Sequence, residues 1–204
     1  SIKSHAIHVQ YGDPRTKDWQ YKWMKDRELP GPEYTFDKAQ VALWLNEGET
    51  VIARSLINGQ DGDGITILLP DTPLTIASLI MIPDAKVYTK YFKTKAEYRV
   101  VLFQDKVMQI YEKRRKVGFT STILKTTGNG YVLCASNVKP PKGIKELAQK
   151  FIYMNRSDIK GIDIAVDKKG NMLVLEVNSA PELGPNMADM LANTIIATFA
   201  EELV

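Results

Sequence analysis

Asp163, Glu176 and Asn178 are the residues of this chain whose types and spacing most directly suggest chemistry. The two acids fall in alternating runs, Ile162–Val166 and Met172–Val177, which read as the strands of a hairpin, and Asn178 directly follows the second. If Lys168, Lys169, Gly170 and Asn171 form its four-residue loop, 167 pairs with 172, 165 with 174 and 163 with 176. Side chains alternate along a strand, so Met172, Val174, Glu176 and Asn178 share the face of Asp163, while Leu173, Leu175 and Val177 take the other. Two carboxylates directly opposite each other repel and destabilise a sheet. A cation between them removes the conflict, and carboxylate oxygens with an Asn carbonyl are the hard donors that Mg²⁺ takes when it also holds phosphate oxygens. The alternative is a solvated hairpin face whose acids point into water. Spacing alone leaves both open.

Other chemistries find less support. One cysteine, Cys134, and two histidines, His5 and His8, give no CxxC, HExxH or zinc-finger spacing and no Ser–His or Cys–His nucleophile pair. Gly59, Gly62 and Gly64 lie between the expected strands Val51–Leu56 and Ile65–Leu69. Backbone N–H groups in such a turn can approach phosphate closely, although an ordinary hairpin turn has the same composition. No Gly-Lys-Ser/Thr follows, so it is not a Walker loop. The run Lys113-Arg114-Arg115-Lys116 reads either as a solvated strand end or as a nucleic-acid patch.

These residues need a scaffold, and the chain is long enough to build one. Its 204 residues allow one large domain or two small ones, and 44% hydrophobic with 25% charged residues is the balance of a globular protein, which excludes disordered, collagen-like and disulfide-scaffold classes. A formal charge of +3 suits a small anion but does not by itself argue for nucleic acid. The lone cysteine fits a reducing compartment, and no apolar run reaches the ~20 residues of a membrane span, so a cytoplasmic protein without membrane contact is expected. Pro30-Gly31-Pro32 is the best boundary. Beyond it come a helix capped by Thr35 and running to about Leu45, a helix over Thr72–Met81, a strand over Ala85–Phe92, a hairpin of Glu97–Phe103 and Lys106–Arg115 turning at Gln104-Asp105, a helix over Ile144–Met154, and a closing helix over Asn186–Leu203. Helices and strands mix without strict alternation, which favours an α+β fold.

Taken together, Ile162-Asp163-Ile164-Ala165-Val166 followed by Glu176-Val177-Asn178-Ser179-Ala180-Pro181 resembles the signature of the ATP-grasp superfamily, in which a Gly-x-Asp strand precedes Glu-x-Asn and a small-residue-Pro turn. The resemblance continues through Glu97-Tyr98-Arg99-Val100, Glu112-Lys113-Arg114-Arg115 and Asn129-Gly130-Tyr131, and is closest to the branch of ribosomal-protein glutamate ligases and short bacteriophage proteins. It implies two α+β lobes gripping ATP, with a reduced N-terminal segment at 1–31, a small lobe at 32–86 and a large lobe at 87–204. It implies further that Asp163, Glu176 and Asn178 hold Mg²⁺ (two ions, with Mn²⁺ as a substitute) and that Arg54, Gly59, Gly62 and Gly64 face the phosphates. Lys90, Tyr91 and Phe92 would form the adenine hinge and Glu97 would hold the ribose, while Arg99, Lys113 and Arg114 stabilise the transferring group. The implied activity is an ADP-forming carboxylate–amine ligation through an acylphosphate. Donor carboxylate and acceptor amine (an amino acid, a peptide or a protein tail) are not legible, and homo-oligomerisation is an open expectation. Two rivals stand beside it: a nucleotide-binding adaptor without ligase activity, and nucleic-acid binding through Lys113–Lys116, which would be steeply salt-dependent.

Overall fold

The structure, a computed structural model, describes residues 16–56, 62–70, 76–155, 157–181 and 187–201. The expected phosphate-loop residue Gly59 lies outside them. The fold is α+β, with two sheets in which every strand pair is antiparallel.

The smaller sheet has the order β1 (Tyr34–Thr35), β4 (Val87–Lys90), β2 (Val51–Arg54), β3 (Ile65–Leu68). Helix α2 (Lys38–Asn46) covers one face, where Val41, Trp44 and Leu45 pack on Val51, Ala53 and Tyr88. The helix is capped by Asp37, whose carboxylate accepts the Ala39 N–H at 2.8 Å, rather than by Thr35. Thr35 is committed to β1 opposite Tyr88. Strand β4 pairs with both β1 and β2, so Val87–Lys90 belongs to this smaller sheet. Of the helix expected over Thr72–Met81, a 3-10 helix at Ile76–Met81 is present, and 71–75 lie outside the described residues.

The larger sheet has the order β7 (Tyr131–Cys134), β6 (Lys106–Arg115), β5 (Ala96–Phe103), β8 (Ile159–Val166), β9 (Met172–Asn178). One face carries the main core: Val100, Leu102, Ile162 and Ile164 against α3 (Ile144–Gln149), Phe151 and Met154, and against Tyr21 and Met24 of α1 (Lys17–Lys25). On the other face Val101, Phe103, Tyr111 and Ile159 pack under Met187 of α4 (Met187–Glu201). Helix α3 stops at Gln149 instead of Met154, yet the apolar spacing stays useful. The chain continues through i→i−3 hydrogen bonds, Phe151 to Ala148 and Met154 to Phe151, that keep both side chains buried.

The β8–β9 hairpin differs from expectation at its tip. Asp167 closes a loop one residue longer, accepting the Lys169 and Asn171 N–H groups at 2.8 and 2.9 Å. Val166 thus pairs with Met172 and Ile164 with Val174, but a bulge beside Leu175 restores Asp163 opposite Glu176 and Gly161 opposite Asn178. The bulge also corrects the faces: Val174 and Val177 both enter the core, so Val174 does not share the face of Glu176.

Strand β9 is an edge, and α1 covers it. Gln20 Nε2 donates to the Val177 carbonyl at 3.2 Å while the Val177 N–H donates to Gln20 Oε1 at 2.9 Å, as a neighbouring strand would. Further along, the Val174 N–H donates to the Pro30 carbonyl at 2.8 Å. No described helix is long and apolar enough to cross a membrane.

Candidate active site

Three adjacent strands bring Arg99, Asp163 and Glu176 into one row, with Arg99 opposite Asp163 and Asp163 opposite Glu176. Arg99 grips Asp163 with a fork, Nε to Oδ1 at 2.7 Å and Nη2 to Oδ2 at 2.8 Å. Burial alone would push the Asp163 carboxyl up, but the Arg99 hydrogen bonds and charge, with Lys113 and Lys17 behind them, hold it below the usual carboxylate range. Glu176 accepts the Asn178 amide N–H on Oε1 at 3.1 Å and the Lys17 ammonium on Oε2. Lys17 is pulled down to about 8, first by burial and then by the like charge of Arg54, with Asp163 opposing and Lys113 adding to the fall.

Small residues permit this geometry. Gly161 precedes Asp163 on β8, and a Cβ there would stand 2.6 Å from Cβ of Pro181, so only glycine lets the turn after Asn178 fold back over β8. The Ser157 hydroxyl bonds the carbonyl of Ser179 at 2.7 Å and fixes that turn.

The same sheet face continues to Glu97, whose carboxylate lies 3.2 Å from Lys113 and 3.4 Å from Lys125. From the small lobe comes Arg54, at the end of β2, hydrogen-bonded to Tyr21 of α1. Its Nε is buried without a hydrogen-bond partner, a donor that costs free energy until something accepts it. Gly62, at φ 91°, sits where a Cβ would lie 3.4 Å from the Thr126 methyl, so the glycine turn of the small lobe meets the 120–130 loop of the large one. Gly64, at φ 67°, has the Leu56 and Ser55 side chains 2.8 Å from where its Cβ would be. Five cations (Lys17, Arg54, Arg99, Lys113, Lys125) thus surround three carboxylates (Glu97, Asp163, Glu176). The surplus of positive charge fits a polyanion.

Two groups of expected residues are placed differently. Arg114 follows Lys113 on β6 and, by alternation, belongs with Ile110 on the core face; it bonds Glu112 and the carbonyls of Ser136 and Asn137, at 2.8–2.9 Å. The fold therefore does not bring Arg114 to the cluster. At the expected hinge, the Lys90 and Tyr91 N–H groups donate to the Glu33 and Thr50 carbonyls at 3.0 and 2.8 Å, and the Lys90 ammonium lies 3.1 Å from Glu33 and over the Trp44 ring. Neither N–H is spare for adenine; Phe92 is half-buried beside them. A cavity of about 390 Å³ lies against Tyr21, Lys25, Leu29 and Tyr34, and none of Glu97, Asp163 and Glu176 lines it.

The model of the RimK-like ATP-grasp domain matches residues 49–199, well over half of the chain. The chain belongs to the RimK-like ATP-grasp family. Among curated proteins none matches. Solved ATP-grasp structures share the fold: the ligase PsnB complexed with minimal precursor, Mg and ADP (20% identity, TM-score 0.60, covering 88% of this chain and 59% of that one). D-alanyl-alanine synthetase A from Vibrio cholerae is 19% identical at TM-score 0.62 and coverages of 88% and 60%. D-alanine–D-alanine ligase from Bacillus anthracis is 17% identical at TM-score 0.63 and coverages of 92% and 69%. The chain spans less than two thirds of the PsnB and Vibrio chains.

For an ATP-grasp chain the donor set Asp163, Glu176 and Asn178 fits Mg²⁺: two carboxylates and an amide oxygen in register on one face, each carboxylate already drawing a cation. Sequence reading missed Lys17, Gln20, Tyr21 and Lys125. Positions 17, 20, 21 and 24 do recur at helical spacing, but they carry Lys, Gln, Tyr and Met, which do not read as an apolar stripe. Lys125 lies in a Thr- and Gly-rich loop with no periodicity to mark it.

Proposed function

We propose that this ATP-grasp chain is an ATP- and Mg²⁺-dependent carboxylate–amine ligase that works through an acylphosphate. The observation that carries the reading is the surplus of half-buried cations, headed by Arg54 with its buried, unpartnered Nε, around a carboxylate pair suited to a divalent ion. A triphosphate satisfies that surplus; a neutral ligand does not.

In this reading a donor carboxylate oxygen attacks the γ-phosphorus, the bond from γ-phosphorus to the bridging oxygen breaks, and ADP leaves. The amine nitrogen then attacks the acyl carbon, inorganic phosphate departs with the acyl oxygen, and the nitrogen loses its proton as the amide forms. Mg²⁺, held by Asp163, Glu176 and Asn178, supplies charge neutralisation for the phosphates when bound, and Mn²⁺ and a second ion belong to the same proposal. Arg54 takes phosphate oxygens from the small-lobe side. Lys113 and Arg99 stabilise charge on the transferring group, and Lys125 holds Glu97 in place for the ribose hydroxyls. No side-chain nucleophile is required; positioning and charge carry the rate. The lobes divide after Lys90, with 1–31 as an N-terminal extension whose described part, α1, packs on the large lobe.

The test is ADP release with Mg²⁺, ATP and a panel of amino acids, peptides and dicarboxylates, for the wild type and Glu176→Gln. Acceptor-dependent ADP formation lost in the variant supports the ligase. ATP binding without ADP release under every combination would replace it with the adaptor reading.

A further inference from the structure

Helix α1 lies ahead of the residues that the family model matches, yet three of its side chains reach the site. Gln20 binds both backbone groups of Val177, between Glu176 and Asn178. Tyr21 bonds Arg54. Lys17 sits on Glu176, with only 15% of its side chain exposed. We propose that the Lys17 ammonium is a resident cation of this site, in direct competition with the divalent ion for the Glu176 carboxylate, so that metal loading withdraws the first turn of α1 from β9. The inference rests on the ligase reading of Asp163, Glu176 and Asn178.

Charge makes the two occupants exclusive. Lys17 bonds Glu176 Oε2, while Asn178 bonds Oε1 of the same carboxylate. A dipositive ion on that carboxylate would place its charge beside Lys17, which already stands among Arg54 and Lys113. The balance of charge around Glu176 therefore accommodates one occupant at a time. Withdrawal is also mechanically cheap. Lys17 is the first residue of α1, and Thr16 at the N-cap makes no side-chain capping hydrogen bond. The Gln20 and Tyr21 contacts sit a turn later and can hold the helix to β9 and Arg54 while the first turn opens. Lys17 thus tunes divalent affinity instead of abolishing it, and keeps the carboxylate pair compensated whenever the metal leaves.

The test is Mn²⁺ binding to the full chain, read from the electron paramagnetic resonance signal of free Mn²⁺, with hydrogen exchange of the α1 amides recorded with and without Mn²⁺. The expected result is Mn²⁺ affinity raised by about tenfold or more in Lys17→Met, wild-type affinity in Lys17→Arg, and faster exchange in the first turn of wild-type α1 on loading. Lys17→Gln replaces Lys17→Met should the latter fail to fold. Equal or weaker Mn²⁺ binding in the folded charge-removed variant, with binding still lost in Glu176→Gln, overturns the competition and leaves the metal site standing. Absence of Mn²⁺ binding in every protein overturns both.

Discussion

Arg99 and Asp163 stand directly opposite one another on neighbouring strands and close a two-pronged ion pair at 2.7 and 2.8 Å, with the aspartate only 6% exposed. Removing one partner strands a buried charge, so Arg99→Met is expected to cost about 3–5 kcal/mol in urea unfolding. The pH dependence follows from the depressed carboxyl. Its folded value lies below its unfolded one, so its contribution is fully present above about pH 4 and is lost as pH falls through the folded value. Asp163→Asn should remove that portion of the acid destabilisation, measured as unfolding midpoints across pH 2–5; an unchanged acid profile would show that Asp163 does not drive it.

Arg54→Met separates binding from stability. The buried Nε has no partner in the fold, but the buried Tyr21 hydroxyl loses its bond to Arg54, so the two effects offset and the net change is expected to stay within about 1 kcal/mol. Affinity for ATP with Mg²⁺, followed by calorimetry, should fall about 10- to 100-fold. A large drop in melting temperature with intact ATP affinity would contradict the phosphate role.

Gly161→Ala drives a methyl to within 2.6 Å of Pro181 Cβ. The turn must shift, at a cost of about 1–3 kcal/mol, and should carry Asn178 with it. The measurement is paired: lower thermal stability together with weaker Mn²⁺ binding.

Arg114→Ala should leave ADP formation within about twofold while lowering stability by about 1 kcal/mol through lost bonds to Glu112, Ser136 and Asn137. Loss of turnover in a fully folded Arg114→Ala protein would return this residue to the site.

The pairing of the two carboxylates was legible because its physics is local: alternation and loop length on one hairpin suffice to set Asp163 against Glu176. The same arithmetic misplaced Val174, since a bulge and a longer tip cancel in register but not in side-chain parity. Arg114 is the opposite case, as adjacency to Lys113 on a strand already puts the two on opposite faces. Lys17 and Gln20 were hidden for another reason. Their burial is decided by the distant groups they meet, Glu176 and the backbone of Val177, and nothing within α1 itself announces it.

The hydrogen bonds between Gln20 and Val177 tie the stretch recognisable as ATP-grasp by pattern to residues that lie ahead of it. A polypeptide trimmed to begin at Glu49 would bare the outer rim of β9, with the Val174 and Val177 amides open to any passing strand, and would self-associate through the very segment that carries Glu176 and Asn178.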